Sequence, residues 1–138
     1  MLRFLTAGES HGQALVLTVD GMPAGLNICI AALIAQMRRR QGGYGRGRRM
    51  QIESDTAEIL AGVRHGRTTG APISLLIRNK DWVNWQKTMY IEAEMPEQAS
   101  GTKRGDVTRP RPGHADLAGA IKYGLDDVRD VRDVQSAR

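Results

Sequence analysis

The sequence predicts an α+β sandwich, because strand and helix patterns alternate along the chain without a regular strand–helix–strand rhythm. The chain has 138 residues, and 41% of them are hydrophobic but only 4% aromatic. This length and composition predict one domain over residues 1–138 with a modest aliphatic core. The patterns of the individual segments support this prediction in turn.

The first half begins with a strand at Gln13–Asp20, which is rich in aliphatic and β-branched residues. A turn follows at Gly21–Gly25. Apolar residues then recur at spacings of three and four, which predicts a helix over Ile28–Arg40. Three arginines in its last turn suit the helix dipole, and Gly42-Gly43 is expected to end it.

Shorter strands are predicted next, at Arg49–Ser54 and Ile59–Arg64 around a turn at Ser54-Asp55. Ala71–Arg78 is another strand, entered through a glycine and a proline. Asp81–Gly105 is polar and lacks periodicity, so it is expected to be a loop with one short helix.

Two tryptophans in that loop, Trp82 and Trp85, are three residues apart and are expected to pack against the domain rather than stack on a ligand. Arg109–Gly113 reads Arg-Pro-Arg-Pro-Gly, which predicts a rigid, extended entry to a new element. Ala115–Val134 is predicted to be helical, with a break near Gly124.

Six arginines lie within Arg38–Arg49, without which the net charge of +5 would be −1. Arginine favours two-pronged binding of phosphate or carboxylate, and the interleaved glycines permit close approach of a ligand. Three interpretations remain open at this point: a solvated basic loop, an RNA contact, or a clamp for a phosphorylated small molecule.

The single cysteine, Cys29, fits a reducing, cytoplasmic setting and is expected to be a small buried hydrophobe. Its apolar run, Ile28–Ala35, is much shorter than a membrane span. The N-terminal residues become polar too early for a signal peptide. We therefore expect no membrane contact.

Two of the three histidines stand in unusual settings. His11 lies between glycines in Gly8-Glu9-Ser10-His11-Gly12, and His114 follows Arg109–Gly113. Both are candidates for acid–base chemistry, with a turn residue and a helix cap as the respective structural alternatives. His65 is expected to be a solvated turn residue.

Several other site types are disfavoured. Neighbouring side chains rarely face each other, so Ser10 beside His11 does not predict a serine hydrolase. No histidine pair or cysteine cluster has metal-ligand spacing, and the glycine-rich nucleotide-binding fingerprints are missing from their required contexts. Loops that combine Gly or Pro with Arg and His instead favour a pocket for an anionic small molecule.

Four motifs in this order resemble the chorismate synthase family: GESHG at Gly8–Gly12, RRRQGGYGRGRRM at Arg38–Met50, GVRHGRTTGAPI at Gly62–Ile73 and RPGHADLAGAIKYG at Arg111–Gly124. The resemblance runs from Met1 to about Asp127. It implies a β-α sandwich that is incomplete here, because the family is about three times as long as this chain.

The resemblance also implies an activity. The family's enzymes convert 5-enolpyruvylshikimate 3-phosphate to chorismate and phosphate by a 1,4-anti elimination, in the shikimate pathway to aromatic amino acids. They need reduced FMN, and some members reduce it with NADPH. They are typically homotetramers, and neither nucleic acid nor a membrane is expected as a partner.

The resemblance assigns roles to residues that match the family's motifs. His11 is the proposed acid toward the leaving phosphate, and His114 the histidine beside the flavin. The residues expected to bind substrate are all arginines: Arg40, Arg46, Arg49, Arg111 and Arg138. Arg40 and Arg46 also match NADPH-linked positions, and the residues expected to meet FMN are Gln135, Ser136 and Ala137.

The chain departs from the family pattern near its end. The family's Asn-x-Leu-Glu-Arg-x-Ser-Ala-Arg stretch is here Asp130–Arg138, and a Val-Arg-Asp unit repeats within Val128–Val134. The family's later part normally supplies most flavin contacts and an aspartate proposed as a base. The resemblance therefore implies that this chain retains most of the substrate-phosphate clamp without a complete flavin site, and full activity of the chain alone is not expected.

Overall fold

A computed structural model of the chain describes residues 1–41 and 56–137. Its strands are β1 (Arg3–Gly8), β2 (Ala14–Asp20), β3 (Ala57–Ala61), β4 (Val63–Arg64), β5 (Arg67–Thr68) and β6 (Ile73–Arg78). Its helices are α1 (Ile30–Gln41), a short 3-10 helix (Lys80–Asn84), α2 (Asp116–Tyr123) and α3 (Val128–Ala137). The mixed α and β content agrees with the predicted class.

The chain divides into two compact units. A sheet unit comprises Met1–Ala7 and Ala14–Lys80, and a helical unit comprises Gly8–Gln13 and Asp81–Arg138. The loop that contains His11 therefore belongs with the C-terminal segment, although it follows β1 directly in sequence.

The sheet unit contains a four-stranded sheet in the order β1-β2-β6-β3. β6 runs antiparallel to both of its neighbours. Its Leu75 lies opposite Leu17 of β2 on one side and opposite Ile59 of β3 on the other. The register to β3 shifts between Ile59 and Ala61, which is a β-bulge. Ile73, at the start of β6, is buried and anchors this sheet.

A small hairpin of β4 and β5 adjoins that sheet in sequence, with Val63 opposite Thr68. Its two-residue turn, His65-Gly66, has φ values of 50° and 73°. Positive φ at both turn positions matches the right-handed twist of the two flanking strands. Glycine adopts positive φ easily, which explains its place in this turn. His65 is exposed, as expected for a turn histidine.

α1 has its apolar residues Leu33, Ile34 and Met37 half-buried on one face, and it contacts β3. The expectation that Cys29 is buried was wrong, because the residue is exposed. Cys29 precedes the first helical residue, and its carbonyl accepts a hydrogen bond from Leu33 N at 3.1 Å. The half-buried face begins only one turn later.

The helical unit is built on α2 and α3. Gly124 ends α2 in the left-handed conformation at φ 65°, so the predicted helix over Ala115–Val134 is broken where expected. Asp127 then caps α3, since its Oδ1 accepts hydrogen bonds from the backbone N–H of Arg129 and of Val107, each at 2.9 Å. Val128 and Val131 are buried between the elements of this unit.

The described strands differ from the sequence-based predictions in two places. β1 was not predicted from the sequence. The predicted strand Ile59–Arg64 is two strands, because the chain turns at Gly62 with φ 80°. The strand predicted at Arg49–Ser54, with its turn at Ser54-Asp55, lies outside the described residues. None of the helices in residues 1–41 and 56–137 has the length and apolar character needed to span a membrane.

Candidate active site

A tight turn presents His11 in the helical unit. The backbone N–H of Gly12 donates to the Glu9 carbonyl at 3.2 Å, and Gly8 has φ 140°, a conformation that favours glycine. The His11 side chain is 25% exposed, so the turn fixes the imidazole at the surface of the unit without burying it fully.

Two side chains hold the His11 ring. Nδ1 of His11 lies 2.5 Å from Oδ1 of Asp133, and the Asp133 side chain is only 3% exposed. The Trp85 ring lies 3.8 Å from the imidazole, centroid to centroid, at a tilt of 40°. Trp85 is itself fixed, since its indole N–H donates to Asp81 at 2.7 Å and the Arg104 guanidinium lies 4.0 Å over its ring.

Ser10 joins this cluster, contrary to the expectation that neighbouring side chains do not meet. Its Oγ lies 3.1 Å from His11 Nδ1 and donates to Asp133 Oδ1 at 2.8 Å. In a serine hydrolase the serine and the aspartate bind opposite nitrogens of the imidazole, so that the ring can take the serine proton. Here both lie at Nδ1, and this geometry does not activate Ser10 as a nucleophile.

The second cluster surrounds Asp116, whose side chain is fully buried. It accepts three hydrogen bonds from Arg111, through the backbone N–H, Nε and Nη2 at 2.8–3.0 Å. Nε of Arg132 donates to the same carboxylate at 3.0 Å. These contacts, with Arg111 the largest contributor, hold the pKa of Asp116 well below its usual range. The Arg-Pro-Arg-Pro-Gly corner is thereby fixed to α2 and α3.

His114 stands at the end of that corner with its side chain exposed. Its Nδ1 lies 3.0 Å from the Pro112 carbonyl oxygen. Because a carbonyl only accepts, Nδ1 carries the proton in this contact, which leaves Nε2 as the ring nitrogen directed to another partner.

Adjacent residues of α3 serve both clusters: Arg132 binds Asp116, and Asp133 binds His11. Neither residue was predicted from the sequence to be functional. The signal was available in the Val-Arg-Asp repeat, because its three-residue spacing places Val128 and Val131 on one buried face and directs the charged residues to either side of that face.

Several acidic groups lie close to Asp133 in the helical unit. Partial desolvation, followed by the charges of Asp133 and Asp130, raises the pKa of the Glu9 carboxyl although the residue is exposed. Partial desolvation and the charges of Asp127 and Asp133 also raise the pKa of Asp130, against the opposing effect of Arg129. The acidic groups near His11 are accompanied by a cation, Arg104, whose guanidinium lies over the Trp85 ring.

Of the other predicted site residues, some lie outside the described part of the chain and some are described only by their backbone. Arg46, Arg49 and Arg138 lie outside the described residues. The backbone of Arg40 belongs to α1, and Gln135, Ser136 and Ala137 belong to the last turns of α3. His11, Arg111 and His114 are thus the predicted residues whose side-chain surroundings are seen, and α3 connects the loops that carry them.

A cavity of about 290 Å³ lies elsewhere in the helical unit, with Gln13, Trp82, Tyr90 and Glu92 among its lining residues. Its lining contains one acidic side chain and no basic one. This charge is wrong for a phosphate or a carboxylate, so we place the candidate site at His11 and not at the cavity.

Known proteins of a single family match nearly the whole chain. The family model described as chorismate synthase matches residues 2–138. The chain is 57% identical over 138 residues to the chorismate synthase of Solibacter usitatus (strain Ellin6076), covering 100% of this chain and 34% of the relative. It is 56% identical over 137 residues to that of Shouchella clausii (strain KSM-K16), covering 99% and 35%.

A solved structure described as a crystal structure of chorismate synthase superposes with a TM-score of 0.62 at 39% sequence identity. It covers 96% of this chain and 27% of that one. The chain spans about a third of the length of the curated relatives it matches.

Proposed function

Because the chain belongs to the chorismate synthase family, we propose that it acts in the elimination of phosphate from 5-enolpyruvylshikimate 3-phosphate to give chorismate. The observation that carries this proposal is the pair Arg132 and Asp133 on α3, which hold the Arg111 corner and the His11 loop respectively. These are the two loops on which the family's acid and anion-binding residues are expected, and one helix connects them.

His11 has the role of the acid in this proposal. The elimination breaks the bond between a ring carbon and the phosphate oxygen, removes a proton from the ring, and leaves a new carbon–carbon double bond. The departing phosphate gains negative charge as the bond breaks. An imidazolium beside it stabilises this charge and donates its proton, a role that histidine commonly fills in acid–base catalysis.

Arginines bind the substrate, which carries a phosphate and two carboxylates. The guanidinium of Arg111 is held by Asp116, while 36% of the Arg111 side chain remains exposed. A guanidinium fixed in this way loses little conformational freedom when it binds a further anion. We propose that Arg40, Arg46, Arg49 and Arg138 supply the remaining positive charge.

Reduced FMN, when bound, would supply electron density to the substrate as the phosphate leaves. The described residues fit a place for it beside His114, because that side chain is exposed and its Nδ1 already binds the Pro112 carbonyl. Nε2 is then the nitrogen that would polarise the flavin ring. The proposed flavin residues Gln135, Ser136 and Ala137 follow Arg132 on α3, and Arg132 binds the Asp116 cluster of the same corner.

The proposal also extends to the fold, assembly, location and flavin reductant of the full enzyme. The full enzyme is expected to be a β-α sandwich that assembles as a homotetramer in the cytoplasm. NADPH is the proposed reductant of the flavin, bound through Arg40 and Arg46. Membership of the family supports these properties.

The test is phosphate release from 5-enolpyruvylshikimate 3-phosphate by the 138-residue chain, measured without oxygen in the presence of reduced FMN. Loss of a general acid costs about 100-fold to 10,000-fold, so His11→Asn is expected to lower the rate by that range. His65→Asn changes an exposed hairpin histidine in the sheet unit and is the matched control. No release by the wild-type chain, under conditions where a full-length family member is active, would contradict activity of this chain by itself. No release together with no affinity for the phosphorylated substrate would contradict the proposal.

Binding of RNA through Arg38–Arg49 is the competing function. Submicromolar RNA affinity that falls steeply with salt, together with no affinity for the phosphorylated substrate, would replace our proposal with that one.

A further inference from the structure

The contact between His11 and Asp133 joins residues that are 122 positions apart in sequence. We propose that Asp133 is a positioning residue, which holds His11 in the tautomer with its proton on Nδ1 and so presents Nε2 to the substrate. The identity of the group that Nε2 meets, the leaving phosphate, rests on the proposed function. The tautomer itself does not.

The chemistry of the contact determines the direction of the hydrogen bond. A carboxylate only accepts, and Oδ1 of Asp133 lies 2.5 Å from Nδ1 of His11. The proton of the neutral imidazole is therefore on Nδ1. Proton exchange with a substrate then has to take place through Nε2, on the opposite side of the ring.

Two neighbours support this arrangement. Trp85 stacks against the ring at 3.8 Å, and Ser10 fixes the carboxylate by donating to the same oxygen at 2.8 Å. Rotation of the imidazole by half a turn about its bond to the chain would remove Nδ1 from Asp133. It would leave a buried carboxylate with one hydrogen bond fewer, which is unfavourable.

The burial of Asp133 supports a role beyond packing. Its Oδ2 has no hydrogen-bond partner among the described residues, and the side chain is 3% exposed. Burying a carboxylate with one oxygen unpaired is costly, whereas leucine has nearly the same shape and no charge to bury. Packing alone would be better served by an apolar side chain at this position.

The tautomer can be measured directly on the chain labelled with ¹⁵N, from long-range correlations between the ring nitrogens and carbon-bound protons. The His11 signals are assigned by their loss in His11→Gln. In the wild-type chain at a pH where the ring is neutral, we expect Nδ1 to be protonated and Nε2 unprotonated. In Asp133→Leu we expect reversal to the Nε2–H form that isolated histidine prefers.

Asp130→Asn is the matched control, because Asp130 lies one turn earlier on the same helix and is exposed. It removes one negative charge nearby and is expected to leave the tautomer unchanged. A wild-type His11 with its proton on Nε2 would overturn the proposal, and so would an unchanged tautomer in folded Asp133→Leu. The wild-type spectrum decides the question even where that variant does not fold.

The phosphate-release assay separates this inference from the proposed function. A chain that shows the Nδ1–H tautomer but releases no phosphate would support the positioning role of Asp133 and contradict the enzymatic activity. Release of phosphate by a chain with the Nε2–H tautomer would support the enzymatic activity and contradict the positioning role of Asp133.

Discussion

Asp116 is held by hydrogen bonds from two arginines in the helical unit. It is fully buried, and its partners Arg111 and Arg132 are both partly exposed. A carboxylate in this position satisfies two guanidinium groups and a backbone N–H at once. The residue therefore sets the conformation of the corner that ends at His114.

We predict that Asp116→Ala lowers the free energy of unfolding by about 3 kcal/mol, since it removes several charge-assisted hydrogen bonds from a buried position. Urea denaturation followed by circular dichroism measures this change. Asp106→Ala removes an exposed carboxylate from the same unit and is expected to change stability by less than about 0.5 kcal/mol. Equal effects of the two substitutions would show that burial of Asp116 is not important.

His11 could be predicted as a candidate from the sequence, because a histidine between glycines has no place in a core. Its partner could not be predicted. Asp133 lies on a distant helix, in a repeat where Asp130 has the same neighbours in sequence, and only the fold distinguishes one from the other. Trp85 was correctly expected to pack within the protein, but the side chain that it packs on, His11, follows from tertiary structure alone.

At the level of elements, α2 and α3 approach closely at Gly119. A Cβ atom at this position would lie 2.4 Å from Cγ1 of Val131, which is itself 6% exposed. Alanine normally favours a helix over glycine by about 1 kcal/mol. Here the steric conflict is expected to reverse that preference.

We predict that Gly119→Ala destabilises the chain by about 1–3 kcal/mol, as overpacking of a core does. Val131→Ala is expected to be destabilising as well, because it leaves a cavity. The double variant should be more stable than the sum of the two single changes indicates, since each relieves the other. A coupling energy of zero in this cycle, measured by urea denaturation, would disprove direct packing of the two residues.

Elements with a regular apolar pattern were predicted well. β2 and β6 begin within two residues of their predicted starts, and the helix break at Gly124 follows from glycine chemistry. β1 gave no such signal, because all six of its residues are exposed and no apolar face alternates with a polar one. The division of the strand at Gly62 depends on a tertiary contact: a Cβ there would lie 2.6 Å from Cα of Ile73.

At the level of the whole molecule, carboxyl groups with shifted pKa values make stability depend on pH in two opposite ways. The pKa of Asp116 is lowered, so its contribution to stability is present above its ordinary value near 3.8 and is lost as the pH falls further. The pKa values of Glu9 and Asp130 are raised. Their contribution is present below the ordinary carboxyl pKa and is lost as the pH rises through the shifted values.

We predict a stability maximum in mildly acidic solution, above the range in which Asp116 becomes protonated and below neutral pH. Urea denaturation midpoints from pH 3 to pH 8 would show it. The double variant Glu9→Gln, Asp130→Asn is expected to remove the decline toward neutral pH, an effect below about 1 kcal/mol because solvent screens both groups. A wild-type midpoint that rises steadily up to pH 8 would contradict the prediction.

The neighbouring positions of Arg132 and Asp133 on α3 have a mechanical consequence. Consecutive Cα atoms are about 3.8 Å apart, and their side chains diverge by about 100° around a helix. The backbone of α3 therefore fixes the distance between the two residues that bind Asp116 and His11. While these hydrogen bonds are kept, a rotation of α3 about its axis would move the Asp116 cluster and the His11 imidazole together.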